Sequence, residues 1–366
     1  MPWIDYARGI AILLVLYRHA FEGIKRAGVS VSDYHYMEIA NIMSFGFRMP
    51  LFFIISGVFA GITLAKYGIK EFIHKKYKLI LYPYLLWAAI QITVQLFFSD
   101  YVNAKRSLYD YLYILYSPQE LEQFWYLYAL FSITALYALL KVKLKIKPLV
   151  NLALGFSFYL ISAYFTNQRI DTFFLHDIMH YYLFFAIGDV VSDFLRNRNN
   201  YRFFSSWGFF AILLPLFAIV QVFFLNANLS HNSHVYVQET LFLQYIAVAA
   251  VGSAFMLNLS FLLQRYNKAV WLQTIGSYSL YIFIMHVTIT AACRILFVNL
   301  LHIESVPVIV FSAMTMGIIL PVFFYRLCMQ AGAWWLFSPE RPATATQQQV
   351  PVKKVPATYA LADKVA

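Results

Sequence analysis

Two ionisable side chains lie on an otherwise apolar stretch at the start of the chain. Arg8 and His19 flank the apolar run Ile10 to Leu16 inside the segment Trp3 to Phe21. Eleven helical residues turn through about 1100°, roughly 20° more than three turns, so the two side chains share one helix face about 16 Å apart. Ionisable groups on a membrane helix must face protein or water rather than lipid. This face is therefore a candidate functional site.

The residue types allow two interpretations at each position. Histidine has an ordinary pKa near 6.5, so His19 is able to accept a proton as a general base; it can also form a neutral hydrogen bond between helices. Arg8 suits the phosphates of a nucleotide-bearing substrate, or it closes a structural pair with Asp5, three residues before it. The residues alone leave both questions open.

A second group of histidines occurs later in the chain. His176 and His180 are four residues apart with Asp177 between them, and His231 and His234 follow in a later connection. An i, i+4 pair could supply half of a zinc site. No third ligand has a fixed spacing, so we predict no metal site and assign these four histidines no role.

Composition indicates the class of protein. The chain of 366 residues is 61% hydrophobic and 12% charged, whereas soluble domains have about 45–50% apolar and about 25% charged residues. We predict an all-α, polytopic membrane helix bundle. The chain has a net charge of +11, and its basic residues lie in the connections between apolar spans. Basic residues at such positions set the topology of a membrane protein, so we expect no nucleic-acid partner. Cys293 and Cys328 lie near opposite ends of successive spans, which argues against a disulfide.

Apolar runs of about 20 residues predict ten spans. The bundle occupies residues 1–330, and residues 331–366 are predicted to form a disordered cytoplasmic tail. The predicted spans are 3–21, 38–65, 79–98, 124–140, 149–165, 173–194, 206–225, 238–263, 274–298 and 306–328.

Basic residues concentrate in alternate connections. They follow the second, fourth, sixth and eighth spans, as in 66–78 and 141–148, and are sparse in the others. Since Lys and Arg mark the cytoplasmic side, both termini are expected in the cytoplasm. Arg8 would then lie near the inner face of the membrane and His19 towards the outer face.

Five motifs occur in an order that resembles the acyltransferase 3 family of ten-helix membrane acyltransferases. Asp5, Arg8, Gly9 and His19 fit its opening pattern, and Met49 to Gly57 (MPLFFIISG) is similar to its second-helix signature. The other motifs are Lys75 and Lys78 before Pro83-Tyr84, the FWYLYAL run 124–130, and the GSYSLY run 276–281 followed by His286.

The resemblance implies an enzyme that decorates surface glycans. His19 and Arg8 would be catalytic, and Arg8, Lys75 and Lys78 would bind an acyl-CoA donor, acetyl-CoA or another short acyl-CoA. Trp125 and His286 would contact the acceptor. Four of these residues have a second interpretation. Lys75 and Lys78 lie in a cytoplasmic loop, and such loops are basic by topology alone. Trp125 can anchor at the membrane interface, and His286 can hydrogen-bond across helices.

The chain departs from the family pattern at two motifs. Lysines stand where arginines are usual in the basic motif, which keeps the charge but loses the bidentate fork for phosphate. Leu130 stands where many members that modify lipopolysaccharide or peptidoglycan have glutamate. We therefore expect an O-acyltransferase, acetyl by preference, acting on a surface polysaccharide or lipid-linked sugar in a bacterial inner or plasma membrane. The alternative is a transporter or glycan exporter in which Arg8 and His19 form a gating pair.

Overall fold

The structure, a computed structural model, describes residues 1–230 and 241–341. All long elements in these ranges are helices. They are α1 (Pro2–Arg26), α2 (His35–Lys76), α3 (Tyr82–Phe97), α4 (Trp125–Lys143), α5 (Pro148–Asn167), α6 (Phe174–Arg196), α7 (Trp207–Ser230), α8 (Phe242–Tyr266), α9 (Val270–Ser277), α10 (Ser279–Ile295) and α11 (Val306–Gln330).

The predicted helical membrane bundle is confirmed. Each of the ten predicted spans overlaps a long helix, although residues 238–240 of the eighth lie outside the described residues. Within residues 1–230 and 241–341, eight helical stretches are long and apolar enough to cross a membrane, and one of them, Ser32–Phe97, contains both α2 and α3. The first helix is not one of these eight stretches, because every run of 18 residues in it contains more than two charged side chains.

The first helix lies inside the bundle. It contacts α2, α8, α9, α10 and α11, and both of its ends are tied to neighbours. At one end the backbone N–H of Trp3 donates to Gln264 Oε1 at 2.8 Å, and the Tyr6 hydroxyl donates to the carbonyl of Lys268 at 2.8 Å. At the other end Arg294 of α10 donates to the carbonyl of Gly23 at 3.2 Å. The enclosure of α1 keeps its charged face away from lipid.

Glycines of the sequence motifs allow helix backbones to touch. A Cβ atom at Gly276 of α9 would overlap the carbonyl oxygen of Asp5, and one at Gly57 of α2 would overlap that of Phe185 in α6. Gly9 and Gly188 make the reciprocal approaches, to Leu272 and Ile54. Packing therefore accounts for these glycines without any direct part in chemistry.

The second helix ends its straight course at Gly68. The φ of 72° and ψ of 168° at this residue break the helix, and a positive φ of this kind favours glycine. Helical structure resumes at Ile69 and runs through a π-helical turn, Tyr77–Leu81, into α3. Lys75 and Lys78 lie on this connecting stretch at the end of the bundle that holds Trp3.

The connection between α3 and α4 consists of short helical turns at Leu108–Leu112, Tyr113–Tyr116 and Pro118–Phe124. One side is exposed, as Leu108 and Tyr109 show, and the other buries Asp110 and Ile114. The segment between α3 and α4 is therefore amphipathic.

Of the predicted tail, residues 331–341 belong to the described chain. Phe337 is buried against Trp87, Tyr281 and Tyr325, and the Trp87 indole N–H donates to the carbonyl of Leu336 at 2.8 Å. This first part of the segment therefore packs on the bundle.

Replacing Gly276 by valine is expected to destabilise the protein, because the added side chain meets the backbone of α1. Overpacking costs about 1–3 kcal/mol, so the midpoint of thermal unfolding in detergent should fall by several degrees. Gly208→Val is the matched control, since nothing lies within 4 Å of a Cβ there. Equal midpoints for the two variants would contradict the close packing of α1 on α9.

Candidate active site

A cavity of about 1390 Å³ opens at the end of the bundle opposite Trp3. Its walls come from the C-terminal part of α1, from α2, α3, α4, α6 and α10, and from the connections after α3 and α5. His19 and Trp125 line it, and Arg8 does not. The described lining residues include five arginines and five carboxylates: Arg18, Arg26, Arg48, Arg169, Arg294, Glu22, Glu120, Glu122, Asp171 and Asp177. Because these charges balance, the cavity suits a polar, largely uncharged ligand better than a polyanion.

His19 lies directly against His286 of α10. Their ring centroids are 4.9 Å apart and the ring planes are inclined by 67°. His19 faces the cavity, whereas His286 is 0% exposed behind it. The structure thus brings together the histidines of the first and tenth helices, which are separated by more than 260 residues in the sequence.

The backbone of its own helix holds the His286 ring. The Nδ1 atom lies 2.7 Å from the carbonyl oxygen of Phe283 and 3.2 Å from that of Ile282. A carbonyl only accepts, so Nδ1 carries the hydrogen, and in a neutral imidazole Nε2 is then an acceptor. Nε2 is buried and has no hydrogen-bond partner in the described part of the chain. Through Nδ1, His286 thus forms hydrogen bonds within α10 and not across helices.

Four aromatic side chains form a cluster near Arg8: Phe52, Phe53, Tyr126 and Phe283. Tyr126 contacts Phe52, Phe53 and Phe283, with ring centroids 5.5, 5.2 and 5.1 Å away. Tyr126 is also close enough to Arg8 for an electrostatic interaction, and Phe283 lines the cavity. The cluster therefore reaches from the neighbourhood of Arg8 to the cavity wall, where His19 also lies.

The surroundings of Arg8 are mostly positive. Asp5 attracts it electrostatically, but within the described chain no ion pair shorter than 4.0 Å joins the two. Lys76 is close enough to Arg8 for repulsion between the two charges. Lys76 was not among the residues predicted from sequence, because the basic stretch shows which residues are cationic and not which of them turns inward after the break at Gly68.

The two predicted lysines point in different directions. The Lys75 ammonium lies 3.7 Å from Glu71 and 3.7 Å from the ring centre of Tyr67. Lys78 forms an ion pair of 2.8 Å with Glu340 in the C-terminal segment. Hydrogen bonds from Lys78 and His74 lower the pKa of the Glu340 carboxyl. Both lysines therefore have carboxylate partners at the end of the bundle where Arg8 lies.

Aromatic rings and polar groups form the far wall of the cavity. Trp125 lies 5.1 Å from Tyr181, centroid to centroid, and both line the space. His176 also lines it, whereas His180 is buried against Tyr181 and stacks on His176 at 5.7 Å. No group of three or more histidine, cysteine or acidic side chains placed to hold a metal occurs in residues 1–230 and 241–341. His231 and His234 lie outside the described residues.

Sequence reasoning missed two arginines near His19. Arg18 and Arg48 lie on the ring of Phe45, with guanidinium carbons 4.8 and 5.1 Å from its centre, and all three line the cavity. Arg18 immediately precedes His19, and Arg48 immediately precedes the MPLFF motif. Their closeness to motif residues was a usable signal.

Sequence reasoning also missed Glu122, just before the fourth-helix motif. Its carboxylate lines the cavity and accepts from the amides of Gln91 at 3.2 Å and Gln95 at 3.4 Å. Its φ of 55° and ψ of −110° are strained for a non-glycine residue. Such conformations cost about 1–3 kcal/mol and persist where surrounding contacts impose them, often at functional sites.

Comparison with known proteins identifies the family of this chain. A family model described as an acyltransferase domain matches residues 1–326. No curated protein and no solved structure matches the chain. The matched region includes Arg8, His19 and His286 and covers most of the chain. The protein therefore belongs to the acyltransferase 3 family and is a multi-pass membrane acyltransferase that transfers groups other than amino-acyl groups.

Proposed function

We propose that this protein is an O-acetyltransferase that moves an acetyl group from cytoplasmic acetyl-CoA to a hydroxyl of a surface polysaccharide or lipid-linked sugar. It would act in a bacterial inner or plasma membrane with both termini in the cytoplasm. One observation carries the proposal: His19, backed by His286, lies on the wall of a large cavity lined by charged and aromatic side chains, in a chain of an acyltransferase family.

In this mechanism His19 is the general base. One ring nitrogen takes the proton of the acceptor hydroxyl while the hydroxyl oxygen attacks the acetyl carbonyl. The new C–O bond forms, the C–S bond of the thioester breaks, and His19 returns the proton to the CoA thiolate. Atoms and charges balance without a further reactant.

His286 would orient the base. Its Nε2 is an acceptor buried beside His19, so a hydrogen bond from His19 N–H to this nitrogen would fix the tautomer of His19. The remaining nitrogen of His19 then faces the cavity with its lone pair available. Base and orienting group held in this relation are a common arrangement in acyl transfer.

The end of the bundle with Arg8 suits the donor nucleotide. Arg8 and Lys76 repel each other in partly buried surroundings, and a phosphate between them would convert that repulsion into two charge-assisted contacts. Lys75 and Lys78 could join by exchanging Glu71 and Glu340 for further phosphates. The acetyl-bearing arm would then extend towards His19 past Tyr126 and Phe283, which requires these rings to move.

The cavity suits a sugar. Carbohydrates present apolar ring faces and many hydroxyls, which match an aromatic wall and a few oriented polar groups. Trp125 and Tyr181 supply the rings, and Gln95, Glu122 and His176 supply polar groups that line the same space.

The activity can be tested in cells. Surface polysaccharide from a strain lacking the protein should lose base-labile acetyl groups, and the wild-type gene should restore them. His19→Ala should lower turnover by roughly 10²–10⁴-fold, as expected for a missing general base. The control is His35→Ala, an exposed histidine at the start of α2, which should restore acetylation fully. Unchanged glycan acetylation in the deletion strain would refute the proposal.

Donor binding should depend on Arg8. Arg8→Ala is expected to weaken acetyl-CoA binding by about 10-fold or more, because hydrogen bonds to charged groups contribute about 1.5–3 kcal/mol. Arg8→Lys should recover part of it. Calorimetry on the purified protein in detergent measures this, with His19→Ala expected to bind like wild type and Lys143→Ala, which removes an exposed charge, as control. Wild-type affinity of folded Arg8→Ala would exclude Arg8 from the donor site.

The orientation can be tested with single cysteines in a background lacking Cys293 and Cys328. Lys105→Cys should react with an impermeant thiol reagent only from outside the cell, and Lys143→Cys only after the membrane is opened. Both positions are exposed, at opposite ends of the bundle. Reaction of both from the same side, or in the reverse sense, would overturn the predicted topology.

A further inference from the structure

Glu122 is a carboxylate of the cavity for which the transfer step just described has no use. It lies in the strained turn before α4 and is only partly buried, with its side chain on the cavity wall. Two explanations of the strained backbone are possible. The surrounding contacts hold it so that the Glu122 side chain points into the cavity, or the strain is a by-product of how the loop folds. The contacts around Glu122 distinguish these cases.

The two amides that contact Glu122 are themselves fixed. Gln91 Oε1 accepts from Gln123 Nε2 at 2.8 Å, and Gln95 Oε1 accepts from Arg106 Nε at 2.9 Å. Because both amide oxygens are occupied, both NH₂ groups must point towards the carboxylate. Gln91, Gln95 and Gln123 are each less than 10% exposed. A rigid buried shell therefore holds Glu122 in place.

That shell leaves acceptor capacity unused. A carboxylate has about four lone-pair sites, and Glu122 accepts two hydrogen bonds, at 3.2 and 3.4 Å. Arg26, Arg106 and Arg294 interact with it electrostatically. Within the described residues, however, no cationic nitrogen lies within the 4.0 Å of an ion pair. Asp110, by contrast, is bonded by Ser107 at 2.8 Å and by Arg106 at 3.3 Å and does not line the cavity.

We propose that Glu122 is an acceptor-binding residue whose carboxylate takes hydrogen bonds from sugar hydroxyls in the cavity and so selects which hydroxyl reaches His19. This inference rests on the proposed function. An O–H···O⁻ bond is short and about twice as strong as a neutral one, and the fixed amide shell supplies the precision that positional selection needs. The strained turn then serves to aim this side chain into the cavity.

The test uses full-length protein in detergent with labelled acetyl-CoA as donor. The acceptor is surface polysaccharide extracted from cells lacking the protein and stripped of acyl groups with mild base. Glu122→Gln should raise KM for this polysaccharide by about 10- to 100-fold, as for a lost hydrogen bond to a charged group. KM for acetyl-CoA should stay within about twofold of wild type. Glu122→Asp, which keeps the charge, should recover part of the acceptor affinity.

Asp110→Asn is the matched control, because it removes a carboxylate from the same buried network without touching the cavity. It should lower the unfolding midpoint and leave KM for the polysaccharide near the wild-type value. An equal rise of acceptor KM in Asp110→Asn and Glu122→Gln would show that loop geometry is responsible and overturn the proposal. So would an unchanged acceptor KM in Glu122→Gln, or Glu122→Asp being as impaired as Glu122→Gln. If wild-type protein transfers no acetyl group at all, the proposed function fails first and is recognised by that result.

Discussion

Two ionisable groups on one face of an apolar helix are the constraint on which the rest of this bundle depends. Neither a guanidinium nor an imidazole can face lipid at low cost, so α1 lies inside a ring of five helices. Enclosure on that scale requires backbones to approach closely, which the glycines at positions 9 and 276 allow. The motif residues therefore divide into two sets: those that permit α1 to be enclosed, and those that use the enclosed face.

The architecture could be predicted from sequence because hydropathy is a local property. A run of about 20 apolar residues must cross the membrane as a helix whatever its neighbours are, and each of the ten predicted spans overlaps a long helix. The shared face of Arg8 and His19 also follows from helical periodicity alone. The position of His286 was harder, since only packing of α10 on α1 places it 4.9 Å from His19.

The polar shell of the cavity could not be predicted for the same reason. Gln91 and Gln95 on α3 meet Glu122 only because the intervening segment folds back over the helix end. Similarly, a break at Gly68 and a π-helical turn set the rotation of the basic stretch, so that Lys76 rather than Lys75 or Lys78 faces Arg8. Composition identified the basic stretch as polar, but in both regions tertiary contacts decide which side chains act together.

The aromatic cluster of Phe52, Phe53, Tyr126 and Phe283 bears on membrane energetics. On the proposed function a polyanionic nucleotide would stay on the Arg8 side of Tyr126 and Phe283, and only the acetyl-bearing arm would reach past them. In that proposal the acetyl group would be transferred outward as a formal cation while the hydroxyl proton would end on the thiol, so no net charge would cross the bilayer. Moving one elementary charge would be worth about 2.3 kcal/mol per 100 mV. An exchange without net charge movement proceeds equally well in energised and de-energised cells.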